Sequence, residues 1–380
     1  MATSFAEFIA FYRGRVMIRV LQVFASTSRG GSETMMMNHY RHLNTSEFQF
    51  DFISHFPKET DYDREINSLG GRVFHLPQFK GYNYVEYVSA WENLLNEHHE
   101  WQIVHIHYFT LSWLIAPIVQ SYKRHCIIHS HASVIDSRLK RLAFRLMRRR
   151  AVDNSDLLLA CSLSAGTNIF GNVPFRLFKN AIEVDRFAFD VNSRNRLREE
   201  HKINSDEFVI GNVGSFRSRV KNQLFLIDVF KSICDRGIRT KLILVGDGRY
   251  IADAKRTVDK LGLSNFVVFT GACANVYEYL SLFDVFVMPS LSEGFPVSVV
   301  EALSSGLPCL LSDTIPHEVA ISDLVSFISL NESVEVWAEN VMRRIQMRDR
   351  SASANMVKLA GYDVTDNVKE LEELYRQVHK

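Results

Sequence analysis

From Met17 to Leu311 the sequence repeats one unit, a short apolar run followed by a turn and then a helical pattern, and the repeat restarts once. Met17 to Ala25, Phe48 to Ser54, Arg72 to Leu76, Gln102 to Ile106, Cys126 to His129 and Leu157 to Ala160 make the first series. Phe208 to Val213, Lys241 to Val245, Phe266 to Thr270, Val285 to Met288 and Pro308 to Leu311 make the second. Apolar runs alternating with helices read as strands of parallel sheet covered on both faces. Two such series predict an α/β chain of two doubly wound, Rossmann-like domains.

A length of 380 residues is enough for two separate cores. The polar segment Asp190 to Asn204 follows the first series and puts the boundary near residue 187. The expected division is an N-terminal extension (1–16), a first domain (17–187), a second domain (188–355) and a charged C-terminal helix (356–380) that packs back across the first. The extension carries Phe5, Phe8, Ile9, Phe11 and Tyr12 ahead of Arg13 and Arg15, without a signal peptide's order of residues. It reads equally well as an amphipathic surface helix or as the product of an upstream start codon.

Charge is balanced, 44 Lys and Arg against 43 Asp and Glu, so no nucleic-acid partner is expected. Cys126, Cys161, Cys234, Cys273 and Cys309 are scattered without a close pair, which suits a reducing cytoplasm. No apolar run is long enough to span a membrane. The run Arg138 to Arg150 holds seven cations and no acid, with Leu139, Leu142 and Leu146 at helical spacing. Such a helix is expected to pack its leucines inward and could also lie on an anionic membrane surface.

The chemistry concentrates after the strand Val285 to Met288. Glu293 lies in the loop after it, and Glu301 lies five residues past Pro296, roughly 7.5 Å along a helix axis at about 1.5 Å per residue. The amides of Gly294, Phe295, Pro296 (through its neighbours) and Val297 therefore fall between two acids. Amides at a helix start bind phosphate, and carboxylates on either side accept hydrogen bonds from hydroxyl groups. A nucleotide-sugar has that layout of ribose, diphosphate and hexose.

Other loops join this cleft. Gly30-Gly31 sits in the first βα loop, where glycine lets backbone approach a ligand. In the second series Gly214-Ser215-Phe216-Arg217-Ser218-Arg219-Val220-Lys221 occupies the matching loop and is strongly basic, suited to a diphosphate without metal. Gly246-Asp247-Gly248 follows another strand and is expected to line the same cleft. The pairs His105/His107 and His129/His131 each turn to one face of a strand, but no adjacent carboxylate completes a ligand set, so no metal is expected. His131 is the histidine expected over the cleft, where it could bond a sugar hydroxyl or steady developing charge.

In this order the motifs resemble the retaining GT-B glycosyltransferases of family 4, the bacterial capsule, exopolysaccharide and lipopolysaccharide sugar transferases. The resemblance runs from Met17 to Lys380. Its most specific part is Glu-x7-Glu, here Glu293 and Glu301, in which the first acid is implied to contact the donor hexose and the second the ribose. Gly30-Gly31-Ser32-Glu33 looks like the loop near the donor phosphates, His131 like the cleft histidine, Asn180-Ala181-Ile182-Glu183 like the hinge, and Lys221 like the phosphate-binding lysine. Ser215 stands where an arginine is usual, which leaves Arg217 or Arg219 to supply the second cation.

The resemblance implies two domains facing a central cleft, the second holding the donor. It implies transfer of a hexosyl or N-acetylhexosaminyl group from a nucleotide-sugar, expected to be a UDP-sugar, to a lipid-linked or polysaccharide acceptor with retention. His131, Glu293 and Lys221 would be catalytic, no cofactor would be needed, and the enzyme would work in the cytoplasm or at the inner face of the cell membrane. A sugar-nucleotide epimerase and a non-catalytic nucleotide-sugar-binding protein on the same fold are the other two readings.

Overall fold

The computed structural model describes residues 17–131, 147–345 and 349–380. The extension 1–16 and the stretch 138–146 of the basic run lie outside the described residues; Met147 to Arg150, which end that run, are helical.

Seven parallel strands form the first sheet, in the order β3-β2-β1-β4-β5-β6-β7. They are β1 (Ile18–Phe24), β2 (Phe48–Ser54), β3 (Val73–His75), β4 (Trp101–Ile106), β5 (His125–Ser130), β6 (Leu157–Ala160) and β7 (Arg176–Leu177). Six parallel strands form the second, in the order β10-β9-β8-β11-β12-β13. These are β8 (Phe208–Val213), β9 (Thr240–Val245), β10 (Val267–Gly271), β11 (Val285–Met288), β12 (Cys309–Ser312) and β13 (Val325–Ile328). Both sheets are doubly wound, as the two series of apolar runs predict.

Helices cover both faces of each sheet, which is why β2 is buried along its whole length. Its one acid, Asp51, survives there because Arg19, Arg72 and the Trp101 indole all donate to it, at 2.7, 2.5 and 2.7 Å. A buried carboxylate needs such partners.

Strand order reverses between β1 and β4 in one sheet and between β8 and β11 in the other. At such a switch point the loops leaving neighbouring strands diverge and open a crevice for a ligand. Four helices shape these crevices and close the core around them: α1 (Gly31–His42), α2 (Gln223–Asp235), α3 (Val297–Ser304) and α4 (Val364–His379).

Helix α4 returns to the first sheet, capped by Asp363, whose side chain accepts from Thr365 N at 2.9 Å. Val368, Leu371, Leu374 and Tyr375 join the core beside Ile18, Val20 and Phe50. Each fully buried apolar side chain of this size contributes about 1.5–3 kcal/mol. Arg376 grips Glu47 with two nitrogens at 2.8 and 3.0 Å. The chain crosses between the sheets twice, and the crossings pair: Ile182 N donates to Tyr362 O and Val364 N to Ile182 O, both at 2.9 Å. Among the described residues no helix is long and apolar enough to cross a membrane.

Candidate functional site

The loops after β8 and β11 flank the switch point of the second sheet, and their side chains meet there. Lys221 Nζ donates to Glu293 Oε1 at 2.8 Å, and both side chains are largely covered, with 22% and 11% exposed. The backbones are tied as well, Leu291 N donating to Val220 O at 2.8 Å. Lys221 reaches this position because Asn222 adopts a left-handed conformation (φ 55°) and turns the loop into α2.

Glycine sets the floor of the cleft. Gly246 has φ 141°, and a β-carbon there would stand 2.1 Å from Gly214 O; one on Gly248, at φ 150°, would stand 2.4 Å from Arg217 N. The two loops therefore lie backbone on backbone, stitched by Gly214 N to Val245 O and Phe216 N to Asp247 O, each at 2.9 Å. Ser215 Oγ accepts from Arg217 N at 3.1 Å, and Asp247 Oδ1 from Gly248 N at 2.7 Å. Above them a cavity of about 430 Å³ is walled by Gly214, Ser215, Arg217, Asp247 and Gly248 from the second half and by Arg29 and Asp61 from the first.

The structure separates the two candidate arginines. Arg217 enters this cavity. Arg219 turns away, 3.5 Å from Asp253 and over the Tyr250 ring, into a different cavity.

Gly30 caps α1, its carbonyl accepting from Thr34 N at 2.9 Å. The Glu33 carboxylate folds back over Gly30 and accepts from Ser32 Oγ at 2.8 Å. Burial raises the Glu33 pKa, opposed by hydrogen bonds and by the charge of Arg217 across the cleft. Around the position a Gly31 β-carbon would take there is open space.

Helix α3 begins one residue after Pro296, which is its cap rather than its first residue. Gly294 O accepts from Ser162 Oγ of the first half at 3.0 Å, and the Phe295 ring is buried in a stack on Tyr362, centroids 5.5 Å apart. Phe295 thus anchors the loop in the core and can offer a ligand only its backbone. Val297 is half-buried against the same core.

Glu301 lines a cavity of about 260 Å³ with Arg29, Arg41, Arg186, Cys273 and Tyr277 among its walls. Burial pushes its pKa up to about 7, with the charge of Arg186 pulling the other way. No hydrogen bond to its carboxylate is formed by the described residues. Arg29, Cys273 and Val276 wall both this cavity and the larger one, so the two adjoin. Arg29, Arg41, Arg186 and Tyr277 had no motif to announce them, although Arg186 falls just past the Asn180-Ala181-Ile182-Glu183 segment.

His131 follows β5 at the cleft end of the first sheet. Its Nε2 lies 2.9 Å from His107 Nδ1, and its ring lies against that of His129, centroids 4.0 Å apart and planes tilted by 36°. Burial lowers its pKa to about 3, partly offset by Asn180. Strand alternation does put His105, His107, His129 and His131 on one face of the sheet, where His105 stacks on His129 and His107 on His131, and the His105 and His107 rings are tilted together.

The arrangement offers cations and helix amides for a diphosphate at the switch point, with one acid on each side of it; the neutral imidazole of His131 ends β5 of the first sheet. Comparisons with known proteins point the same way. Residues 193–360 match the model of glycosyl transferases group 1, and residues 30–169 that of the glycosyl transferase 4-like domain. EpsF of Bacillus subtilis, named as a glycosyltransferase, is 35% identical over 94% of this chain and 96% of its own length. CapH of Staphylococcus aureus, a capsular polysaccharide biosynthesis glycosyltransferase, is 24% identical over 94% of this chain and 99% of its own. Anabaena HepE, solved with UDP and glucose, superposes with a TM-score of 0.78 at 18% identity, covering 94% of this chain and 99% of that one. That likeness is one of fold, a GT-B pair of Rossmann-like domains.

Proposed function

Since the chain belongs to the glycosyltransferases that join a 4-like and a group 1 domain, we propose that it moves a hexosyl or N-acetylhexosaminyl group from a UDP-sugar to a lipid-linked or polysaccharide acceptor, with retention, in cell-surface polysaccharide synthesis. The observation that carries this reading is the meeting of Lys221 and Glu293 at the switch point, with Glu301 one helix turn or two beyond the loop amides. The names of EpsF and CapH support a polysaccharide product. The UDP and glucose bound by HepE support the donor class.

In this reading Glu301 accepts hydrogen bonds from the ribose, the loop amides and Arg217 hold the diphosphate, and Lys221 leaves Glu293 to meet it. Glu293 then accepts from hexose hydroxyls. The bond between the anomeric carbon and the phosphate oxygen breaks as charge builds on the diphosphate, and the fixed cations stabilise that charge. The acceptor oxygen bonds to the anomeric carbon on the same face, and its proton passes to the departing phosphate. Lys221 and Arg217 supply the positive charge that this departure needs, so the step runs without metal.

Purified protein should release UDP only when acceptor is present, with EDTA in the buffer, and the product should keep the donor's anomeric configuration by NMR. Activity that survives both Lys221→Ala and Glu293→Ala sinks the assignment. The basic run Arg138 to Arg150 is proposed to hold the enzyme at anionic lipid; failure to sediment with such liposomes at low salt removes that part of the reading.

A further inference from the structure

A chain of hydrogen bonds runs from His131 through the first sheet to helix α4, and it has one direction. His107 Nε2 lies 2.9 Å from Gln22 Oε1. An amide oxygen only accepts, so the His107 proton is on Nε2. Burial keeps this imidazole neutral, which leaves Nδ1 as a lone pair that takes the Nε2–H of His131 at 2.9 Å. On the other side Gln22 Nε2 donates to the Tyr375 hydroxyl at 2.9 Å. That hydroxyl also lies 2.8 Å from His105 Nδ1.

Each donor from His131 through His107 to Gln22 therefore points from the cleft toward α4. Gln22, His105, His107 and Tyr375 are all buried, so water does not compete for these bonds. The result at the cleft is one tautomer: the His131 proton is on Nε2, and Nδ1 is a buried acceptor without a bonded donor, beside the Asn180 side chain. Asn180 itself precedes the residues that pair the two crossings.

We propose that Gln22 is a positioning residue that, through His107, holds His131 as its Nε2–H tautomer, with Nδ1 presented as a hydrogen-bond acceptor. A sugar hydroxyl that enters the cleft would fill that acceptor. The effect on turnover rests on the sugar-transfer reading given above; the tautomer does not.

The same nitrogens look open to a metal ion, since one ligand atom from each of His105, His107 and His129 lies within 4.8 Å of the others. His107 has no nitrogen to spare, because Gln22 and His131 use both. No carboxylate among the described residues bonds to any of the three, so a divalent charge would be buried without a counter-charge. The chain of protons uses these side chains as they stand.

Long-range 1H–15N correlation on 15N-histidine-labelled full-length protein reads each tautomer directly. His107 and His131 should both appear as neutral Nε2–H forms at neutral pH. Gln22→Met should shift His107 and His131 to mixed tautomers and lower kcat on the order of tenfold, through loss of alignment. Donor KM should stay within about twofold, as for a group that acts after binding. Tyr375→Phe, which removes one oxygen, should disturb His105 and leave His131 in place, so the wild-type and Phe spectra decide the matter even where the Met variant folds poorly.

An Nδ1–H or doubly protonated His131 in the wild type overturns the proposal. So does a Gln22→Met protein whose tautomers and kcat match the wild type, or stoichiometric Zn2+ binding that removes the His107 Nε2 proton. A wild type that transfers no sugar but shows the His107 and His131 tautomers leaves the hydrogen-bond chain standing and removes the functional reading instead.

Discussion

Lys221 and Glu293 neutralise each other across the second sheet's switch point, 2.8 Å apart and mostly covered. If, as proposed, the donor's diphosphate engages Lys221 and its hexose engages Glu293, the two must separate, and each partner then exchanges one bond for another. The pair keeps two charges quiet in the donor-free protein and makes them available together. Glu293→Gln should accordingly have opposite effects on two ligands. UDP, which needs only the cation, should bind several-fold tighter, since a partly exposed pair holds its lysine with about 1 kcal/mol. Sugar transfer should fall on the order of 10²-fold or more, in line with the loss of one transition-state contact. Isothermal calorimetry with UDP and steady-state rates separate the two, and weaker UDP binding by the variant would remove the competition.

The two arginines should differ sharply. Arg217→Ala takes a cation out of the cleft cavity and should weaken UDP binding by roughly 10- to 100-fold, as for a charge-assisted contact of about 1.5–3 kcal/mol. Arg219 faces Asp253 and Tyr250, so Arg219→Ala should leave UDP affinity within about twofold, the loss of an exposed pair. Equal losses would mean that the loop rearranges around the donor.

Glycine substitutions divide along the same line between scaffold and ligand. Gly246→Ala forces a side chain into a left-handed backbone and against Gly214 O, and should destabilise the fold by about 1–3 kcal/mol in urea unfolding. Gly31→Ala meets no protein atom within 4 Å. It should leave stability unchanged and raise donor KM, because the methyl occupies space reserved for the ligand. An unaffected KM places the phosphates elsewhere.

Glu301 carries a pH dependence. With its pKa near 7 the carboxylate is mostly protonated at pH 6 and mostly ionised at pH 8. Where the ionised form is the one that accepts from ribose, donor KM should fall about tenfold between those values and Glu301→Gln should flatten the profile. Stability runs the other way. A carboxyl whose folded pKa lies above its unfolded value favours the fold while protonated, and that contribution fades as pH rises from about 4.5 through 7. Donor KM that is flat in the wild type removes Glu301 from ribose recognition.

Both sheets were legible in the sequence because strands covered on two faces read as unbroken apolar runs, as Phe208 to Val213 and Val285 to Met288 do. β7 and β13 escaped that reading for the converse reason. Arg176 and Leu177 are exposed and make a strand of only two residues, while the apolar run Val325 to Ile328 is broken by Ser326 and only half-buried. The positions of Glu293 and Glu301 followed from local spacing along one loop and one helix. The Lys221–Glu293 bond could not, because it joins side chains 72 residues apart through a reversal of strand order. Arg186 beside Glu301 was hidden in the same way, as was Tyr375 beside Gln22. What distinguishes Arg217 from Arg219 is a neighbour, Asp253, on another helix.

Helix α4 gives the molecule an awkward birth. Its leucines and Tyr375 complete the wall of a sheet whose first strand is translated at residue 18, so on the ribosome that sheet must wait for its cover. About 200 residues separate the end of that sheet's last strand, Leu177, from the end of α4, so at about 5–20 residues per second the wait is on the order of ten to forty seconds. During it an apolar face bounded by Phe48, Phe50 and Met36 stands open to chaperones and to other nascent chains. A message cut shortly before Val364 would thus yield not a smaller working domain but a sticky one.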